Sequence, residues 1–195
     1  MLKAIPTNKL EGSKYAREGI TVHEGLFLGS LIEHIDPARV VEIGSWIGVS
    51  TLYIATALRE VNHGGVLYAI DPHQGTLLHK NRNLEDSEPI LRKNLETFEV
   101  ESYVQIVRQT SLGALEGWRY KIDVLFLDGA QTVQSLSQDV AGWLPWLAPG
   151  GVIALHDYPS KAGVREVVDS RIRKNMFFTE VGQVQKLIAF KRRRE

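Results

Sequence analysis

Five short polar clusters in this 195-residue chain have the composition of a ligand site. They are Glu42 with Gly44, Asp71, Thr110 with Ser111, Asp128 with Gly129, and His156 with Asp157. Each follows a short apolar run. Carboxylates and an imidazole can bind sugar hydroxyls, hold cations or move protons. Glu42 is unusual because it lies inside its apolar run, Val40-Val41-Glu42-Ile43, where an unpartnered charge would be costly. The segment after it, Gly44-Ser45-Trp46-Ile47-Gly48-Val49-Ser50-Thr51, reads as a glycine turn leading into a helix. Glycines let a ligand approach the backbone, and a helix N-terminus offers N–H groups to an anion. Asp71 comes about thirty residues later, at the end of the next apolar run, where an acid can accept both hydroxyls of a ribose.

The elements that must carry these clusters follow from the pattern. Thr21 and Glu24 have the spacing of a capping box, and Leu28, Leu31, Ile32 and Ile35 form one helical face ended by Asp36-Pro37. Strands are expected at 39–43, 66–70, 103–107, 122–127 and 152–155, with helices at 50–59, 90–98, 112–115, 133–144 and 164–172. Pro149-Gly150-Gly151 reads as a tight turn before the fifth strand. Two further strands, 176–181 and 184–190, flank Gly182-Gln183, and such close spacing demands an antiparallel hairpin. Alternating strand and helix implies an α/β fold, a Rossmann-like, doubly wound, mostly parallel seven-stranded sheet with helices on both faces. Right-handed crossovers put the carboxyl ends of the parallel strands on one edge, which gathers the five clusters. Residues 1–20 read as an irregular arm and 21–195 as one domain. The polar stretch His73 to Pro89 reads as a long loop of functional character.

Composition narrows the function. Acidic and basic residues number 23 each, so no global field argues for nucleic acid. There is no cysteine, which removes thiolate metal sites and cysteine nucleophiles. No apolar run has the length of a membrane span, and the N-terminus lacks a signal peptide's apolar core. A soluble cytoplasmic protein is the expectation, with no membrane partner. The basic run Lys191 to Arg194 reads as a solvated tail. Trp143 and Trp146 are candidates for a homodimer contact, although burial in helix packing is the commoner fate. Bulky Trp46 sits where a dinucleotide's pyrophosphate would need glycine, which argues against NAD.

The run Val41-Glu42-Ile43-Gly44-Ser45-x-x-Gly48-x-Ser50-Thr51 resembles motif I of class I S-adenosylmethionine-dependent methyltransferases. The likeness is nearest to the small O-methyltransferase branch, with catechol O-methyltransferase-like and macrolide sugar O-methyltransferase-like members. Leu125-Phe126-Leu127-Asp128-Gly129-Ala130 and the run from Leu147 to Tyr158 resemble the branch's second and third hallmarks. The resemblance covers residues 21 to the C-terminus and implies S-adenosylmethionine as cofactor and a small-molecule hydroxyl as acceptor. It also implies roles for single residues. Gly44, Ser45 and Gly48 would shape the methionine pocket, with Trp46 as its wall. Ser50 would bind the methionine carboxylate, and Glu42 would support the amino end. Asp71 would hold the ribose and Pro72 flank the adenine. Ser111 would lie near the adenine amino group and Asp128 near the sulfonium, with Gly129 and Ala130 also among the cofactor-binding residues. Asp128, His156 and Asp157 occupy positions that hold Mg2+ or another divalent metal in relatives. They are also the catalytic candidates.

Two departures bear on the chemistry. The branch's Asp-Gly-Ala-His-Thr-Tyr pattern has Gln131 and Val133 here in place of histidine and tyrosine. Glutamine cannot take a proton at neutral pH, so His156 is the remaining base candidate, or else a hydrogen-bonding residue of the site. Imidazole also suits transition metals better than magnesium. A non-catalytic cofactor-binding domain is the alternative that these departures favour. The methyl acceptor is not legible.

Overall fold

A computed structural model describes residues 2–14, 19–61, 64–74, 86–129 and 131–194. Seven strands form one sheet: β1 Arg39–Ile43, β2 Val66–Ile70, β3 Val104–Val107, β4 Ile122–Leu127, β5 Leu147–Leu155, β6 Phe178–Val184 and β7 Leu187–Arg192. Their order is β3-β2-β1-β4-β5-β7-β6. The first five are parallel, and β7 runs antiparallel to both β5 and β6. The order reverses between β1 and β4. A crevice opens at such a switch point, beyond the carboxyl ends of the strands.

The central strands are apolar on both sides because helices cover both faces. Val40, Leu67, Val124, Phe126 and Ala154 pack with α1 (Val22–Ile35), α2 (Val49–Val61) and α3 (Glu88–Thr97). Val41, Ile43, Leu125, Leu127 and Ile153 face α5 (Val133–Trp143) and α6 (Ala162–Val167), with α4 (Ser111–Glu116) at their side. The period of two along β1 puts Glu42 on the same face as Val40, toward α2. Thr21 and Glu24 form the expected capping box of α1, and Asp36 ends the helix in the left-handed region. Among the described residues no helix is long and apolar enough to cross a membrane.

Two turns fall elsewhere than expected. The Pro149-Gly150-Gly151 run lies within β5 instead of preceding it, with Gly150 at φ 84° and a register shift against β4. The terminal hairpin turns at Gln185-Lys186, not at Gly182-Gln183. Gln185 takes the left-handed conformation there, while Gly182 sits at a bulge in β6. Trp143 is fully buried in the helix packing, the commoner of the two fates weighed for it. The described part of the N-terminal arm is tied to the helices. Ile5 and Leu10 are buried, Ile5 N–H donates to the Tyr53 hydroxyl at 3.2 Å, and Glu11 N–H donates to Asn94 Oδ1 at 2.7 Å.

The arm's first bond depends on the α1–α2 contact. A Cβ placed on Gly25 would meet the Tyr53 ring at 2.3 Å. Gly25→Ala must therefore displace that ring and its bond to Ile5. The expected outcome is a loss of about 1–3 kcal/mol of unfolding free energy, read from urea denaturation.

Candidate functional site

The sheet's own hydrogen bonds continue one residue past each strand. Gly44 N–H donates to Ile70 O at 2.9 Å and Asp71 N–H to Val107 O at 3.1 Å. Asp128 N–H donates to Ile43 O at 2.9 Å and His156 N–H to Leu127 O at 3.1 Å. Four of the five expected clusters are thus placed on the rim by backbone bonds. The fifth, Thr110-Ser111, opens α4, where the Thr110 hydroxyl caps the helix by accepting from Gly113 N–H at 3.1 Å.

At the switch point the backbones of two loops touch. Gly44 has φ 93°, and a Cβ there would lie 2.8 Å from the Gly129 backbone. Only glycine fits both the conformation and the space. Trp46 also adopts a positive φ, 45°, which is rare for a bulky residue. One bond that holds it is its N–H, which donates to Asp71 Oδ2 at 2.9 Å. Asp71 Oδ1 accepts from His73 N–H at 2.7 Å. The Asp71 carboxylate therefore bridges the first and second loops and still has lone pairs on both oxygens.

Glu42 is fully buried. Its two oxygens accept from the Ser50 hydroxyl at 2.5 Å and the Thr51 hydroxyl at 2.7 Å. Burial pushes its pKa from 4.5 up to about 8; the two hydroxyls oppose that rise, and Asp128 and Asp71 add to it. Ser50 was expected as a ligand for a carboxylate. Its hydroxyl proton is instead committed to Glu42.

A cavity of about 260 Å³ opens beside these loops. Ile43, Gly44, Trp46, Ile70, Pro72 and Gly129 give it apolar walls, and Asp71, His73, Ser87, Thr110, Ser111 and Asp139 give it polar groups. Of the residues expected at a cofactor, Gly44, Trp46, Asp71, Pro72, Ser111 and Gly129 line this cavity. Glu42, Ser45, Gly48 and Ser50 lie beneath the first loop, with Glu42, Ser45 and Ser50 buried. Ala130 lies outside the described residues. His73 is buried, with Nδ1 2.8 Å from the Ser87 hydroxyl, and burial lowers its pKa.

The other half of the rim is a cluster of charged side chains. His156 Nδ1 lies 2.9 Å from Asp128 Oδ1 and 3.9 Å from Asp157 Oδ1. Its Nε2 faces Glu24 Oε2 at 3.5 Å. Burial would lower the His156 pKa, but the Asp128 hydrogen bond, with Glu24 and Asp157 nearby, prevails and pushes it up to about 9. Gln131 Nε2 donates to Asp157 Oδ2 at 2.8 Å. Donor atoms of Asp128, His156 and Asp157 all lie within 4.8 Å of one another. Two carboxylates and one imidazole suit a first-row transition ion better than magnesium, and only with the ring neutral.

Three participants were not anticipated at the site. Glu24 was read as a helix cap. Besides capping, its Oε1 accepts from Lys186 N–H at 2.8 Å, so it joins α1 to the terminal hairpin and to His156. Arg173 donates to the Tyr158 hydroxyl at 2.6 Å and to Asp169 at 2.7 Å, which steadies the turn after Asp157. Asp139, on α5, reaches the cavity wall. Its signal was available: it shares the helical face of Leu136, Val140 and Trp143.

Residues 41–158, more than half of the chain, match the family model described as a methyltransferase domain. The chain belongs to that methyltransferase family. Two curated relatives match this methyltransferase, among them the uncharacterized protein y4gI of Sinorhizobium fredii. That protein is 24% identical over 128 residues, which is 65% of this chain and only 14% of the relative's length. Solved structures share the fold at low identity. A methyltransferase from Geobacter sulfurreducens superposes with TM-score 0.75 at 19% identity, covering 99% of this chain and 91% of that one. The O-methyltransferase TomG of Streptomyces achromogenes, solved with SAM, gives 0.72 at 18% identity over 100% and 92% of the two chains. An O-methyltransferase from Bacillus cereus, solved with SAH, gives 0.65 at 19% over 89% and 83%.

Glu42 yields a pH prediction. Between 4.5 and about 8 the folded methyltransferase holds a proton on Glu42 that the unfolded chain has released. Stability then falls as pH rises through that window. In Glu42→Gln this component disappears. The wild type should lose stability relative to the variant between pH 5 and pH 8, by at most about 1.4 kcal/mol per pH unit, as read from urea midpoints at each pH.

Proposed function

We propose that this protein transfers a methyl group from S-adenosylmethionine to a hydroxyl oxygen of a small molecule. The observation that carries the reading is the rim cavity bounded by Gly44 and Asp71, at the switch point of the sheet. Its apolar walls suit a purine, and each Asp71 oxygen, beyond the backbone N–H it accepts, keeps a lone pair for a ribose hydroxyl. The TomG and Bacillus cereus structures, solved with SAM and SAH, support the choice of nucleoside.

S-adenosylmethionine bound along this rim would supply a methyl group: the acceptor oxygen forms a bond to it as the carbon–sulfur bond breaks in line, and S-adenosylhomocysteine leaves as the neutral thioether. Asp71 fixes the sugar, and Gly44 with Gly129 lets the chain of the cofactor pass close to the backbone toward Asp128. The carboxylates of Asp128 and Asp157 favour the positive charge of the cofactor until transfer has occurred. Alignment of the reacting atoms contributes much of the rate in such a displacement. Asp128 and Asp157 are the carboxylates placed to receive the acceptor's proton, and His156, charged below about pH 9, orients them and the acceptor oxygen. The three would also hold a divalent ion, whose chemistry would be to acidify the acceptor hydroxyl.

A second reading, a cofactor-binding domain without catalysis, draws on Gln131. It occupies the position of the family's histidine and holds Asp157. Calorimetry with S-adenosylhomocysteine and a methyl-transfer panel of catechols, sugars and polyketides separates the two. Tight binding with no transfer to any acceptor would favour the second reading, and no binding would end both.

Three outcomes are expected. Asp71→Ala and Asp71→Asn should each weaken S-adenosylhomocysteine at least about tenfold, because charge-assisted bonds to the ribose are lost. Unchanged affinity in both folded variants would remove the assignment of the sugar site. Chelator treatment should leave S-adenosylhomocysteine affinity unchanged, since the three donors lie outside the cavity. Readdition of Mn2+ or Co2+ should support methyl transfer better than Mg2+, as measured by initial rates.

A further inference from the structure

Asp139 is a buried acid that nothing above requires. It is 6% exposed, and it lines the rim cavity together with Pro72, Thr110 and Ser111. Its surroundings leave it few donors. Burial raises its pKa, and the one group opposing that rise is the Ser111 hydroxyl. The direction of that contact is fixed by a third residue. The Trp143 indole N–H, which can only donate, donates to Ser111 Oγ at 2.9 Å. Ser111 therefore accepts from Trp143 and has its own proton for Asp139. The Thr110 hydroxyl accepts from Gly113 N–H, and Pro72 has no N–H to give. A carboxylate on a cavity wall with one neighbouring hydroxyl keeps lone pairs with which to accept from a ligand in the cavity.

We infer that the Asp139 carboxylate accepts a hydrogen bond from the exocyclic amino group of the cofactor's purine and so selects adenine over a 6-oxo base. The inference rests on the S-adenosylmethionine reading of the cavity. Asp71 and Asp139 are both on its wall, so a nucleoside with its sugar at one can present its base to the other. A 6-oxo purine would set an acceptor against an acceptor. The chain Trp143–Ser111–Asp139 works as an orienting relay: the indole sets the hydroxyl, and the hydroxyl sets which carboxylate oxygen faces the base.

The relay predicts a reversal. In Asp139→Asn the amide oxygen takes the Ser111 proton, and the amide N–H group faces the cavity. That donor suits a 6-oxo purine and opposes an amino group. The experiment is calorimetric titration of S-adenosylhomocysteine and S-inosylhomocysteine into wild type, Asp139→Asn and Asp139→Ala, each checked for folding by thermal melting. The wild type should prefer the adenine nucleoside by at least about tenfold, because a site built around a hydrogen bond rejects the analogue that cannot make it. Asp139→Asn should shift the ratio by about tenfold or more toward the inosine nucleoside, and Asp139→Ala should bring it near unity. A merely structural aspartate would change stability and leave the ratio alone. A ratio within about twofold of wild type in the folded Asn variant would overturn the inference and leave the cofactor reading standing. A wild type that binds neither nucleoside would overturn both.

Discussion

The rim of this sheet depends on four backbone hydrogen bonds in which the first residue beyond a strand donates to the last residues of its neighbour. Gly44, Asp71, Asp128 and His156 are each held in this way. A parallel ladder has fixed spacing and is buried on both faces, so its ends inherit the rigidity of the core. The consequence is positional: side chains far apart in the chain are set side by side without any contact between them having to form first. The close approach of Gly44 to Gly129 belongs to the same constraint. If β1 and β4 slipped by one residue, Glu42 would leave α2 and Asp128 would leave His156.

The same rim concentrates acids, and the fold neutralises each differently. Glu42 has two hydroxyls and retains its proton to about pH 8. Asp71 has backbone N–H groups from both adjoining loops. Asp128, Asp157 and Glu24 surround one imidazole, with Gln131, Thr21 and Lys186 supplying further donors. Asp139 has a hydroxyl set by an indole. A site so rich in acceptors favours a ligand that brings donors and positive charge, and a sulfonium amino acid linked to adenosine brings both.

The sequence made the strands, their order of use and the first loop legible because these follow from local pattern. Alternation, glycine position and the acid within an apolar run are all short-range signals. The hairpin turn was misplaced because Gly182 is the stronger turn residue, yet cross-strand register puts the turn at Gln185 and uses the glycine for a bulge. Pro149-Gly150-Gly151 was misread because β5 is long enough to absorb its irregularity against β4. Ser50 looked like a free donor because its partner, Glu42, is set by the strand-to-helix packing rather than by sequence spacing. Glu24 was seen only as a cap; its contact with His156 spans the fold and has no local signature.

The two halves of the rim therefore differ in kind. The half around Gly44 and Asp71 is made largely of main chain: turn conformations, N–H donors and the ladder. Main-chain geometry constrains sequence tightly, since few residues tolerate φ near 90° or a neighbour at 2.8 Å. That is why this half can be read from residue types. The half around His156 is made of side chains held by other side chains, Asp128 by imidazole, Asp157 by Gln131, and the turn after them by Arg173. Such contacts can be rebuilt by substitution without disturbing a strand. Under the proposed function, the acceptor side of the rim can therefore be altered without disturbing the ladder that holds the other half.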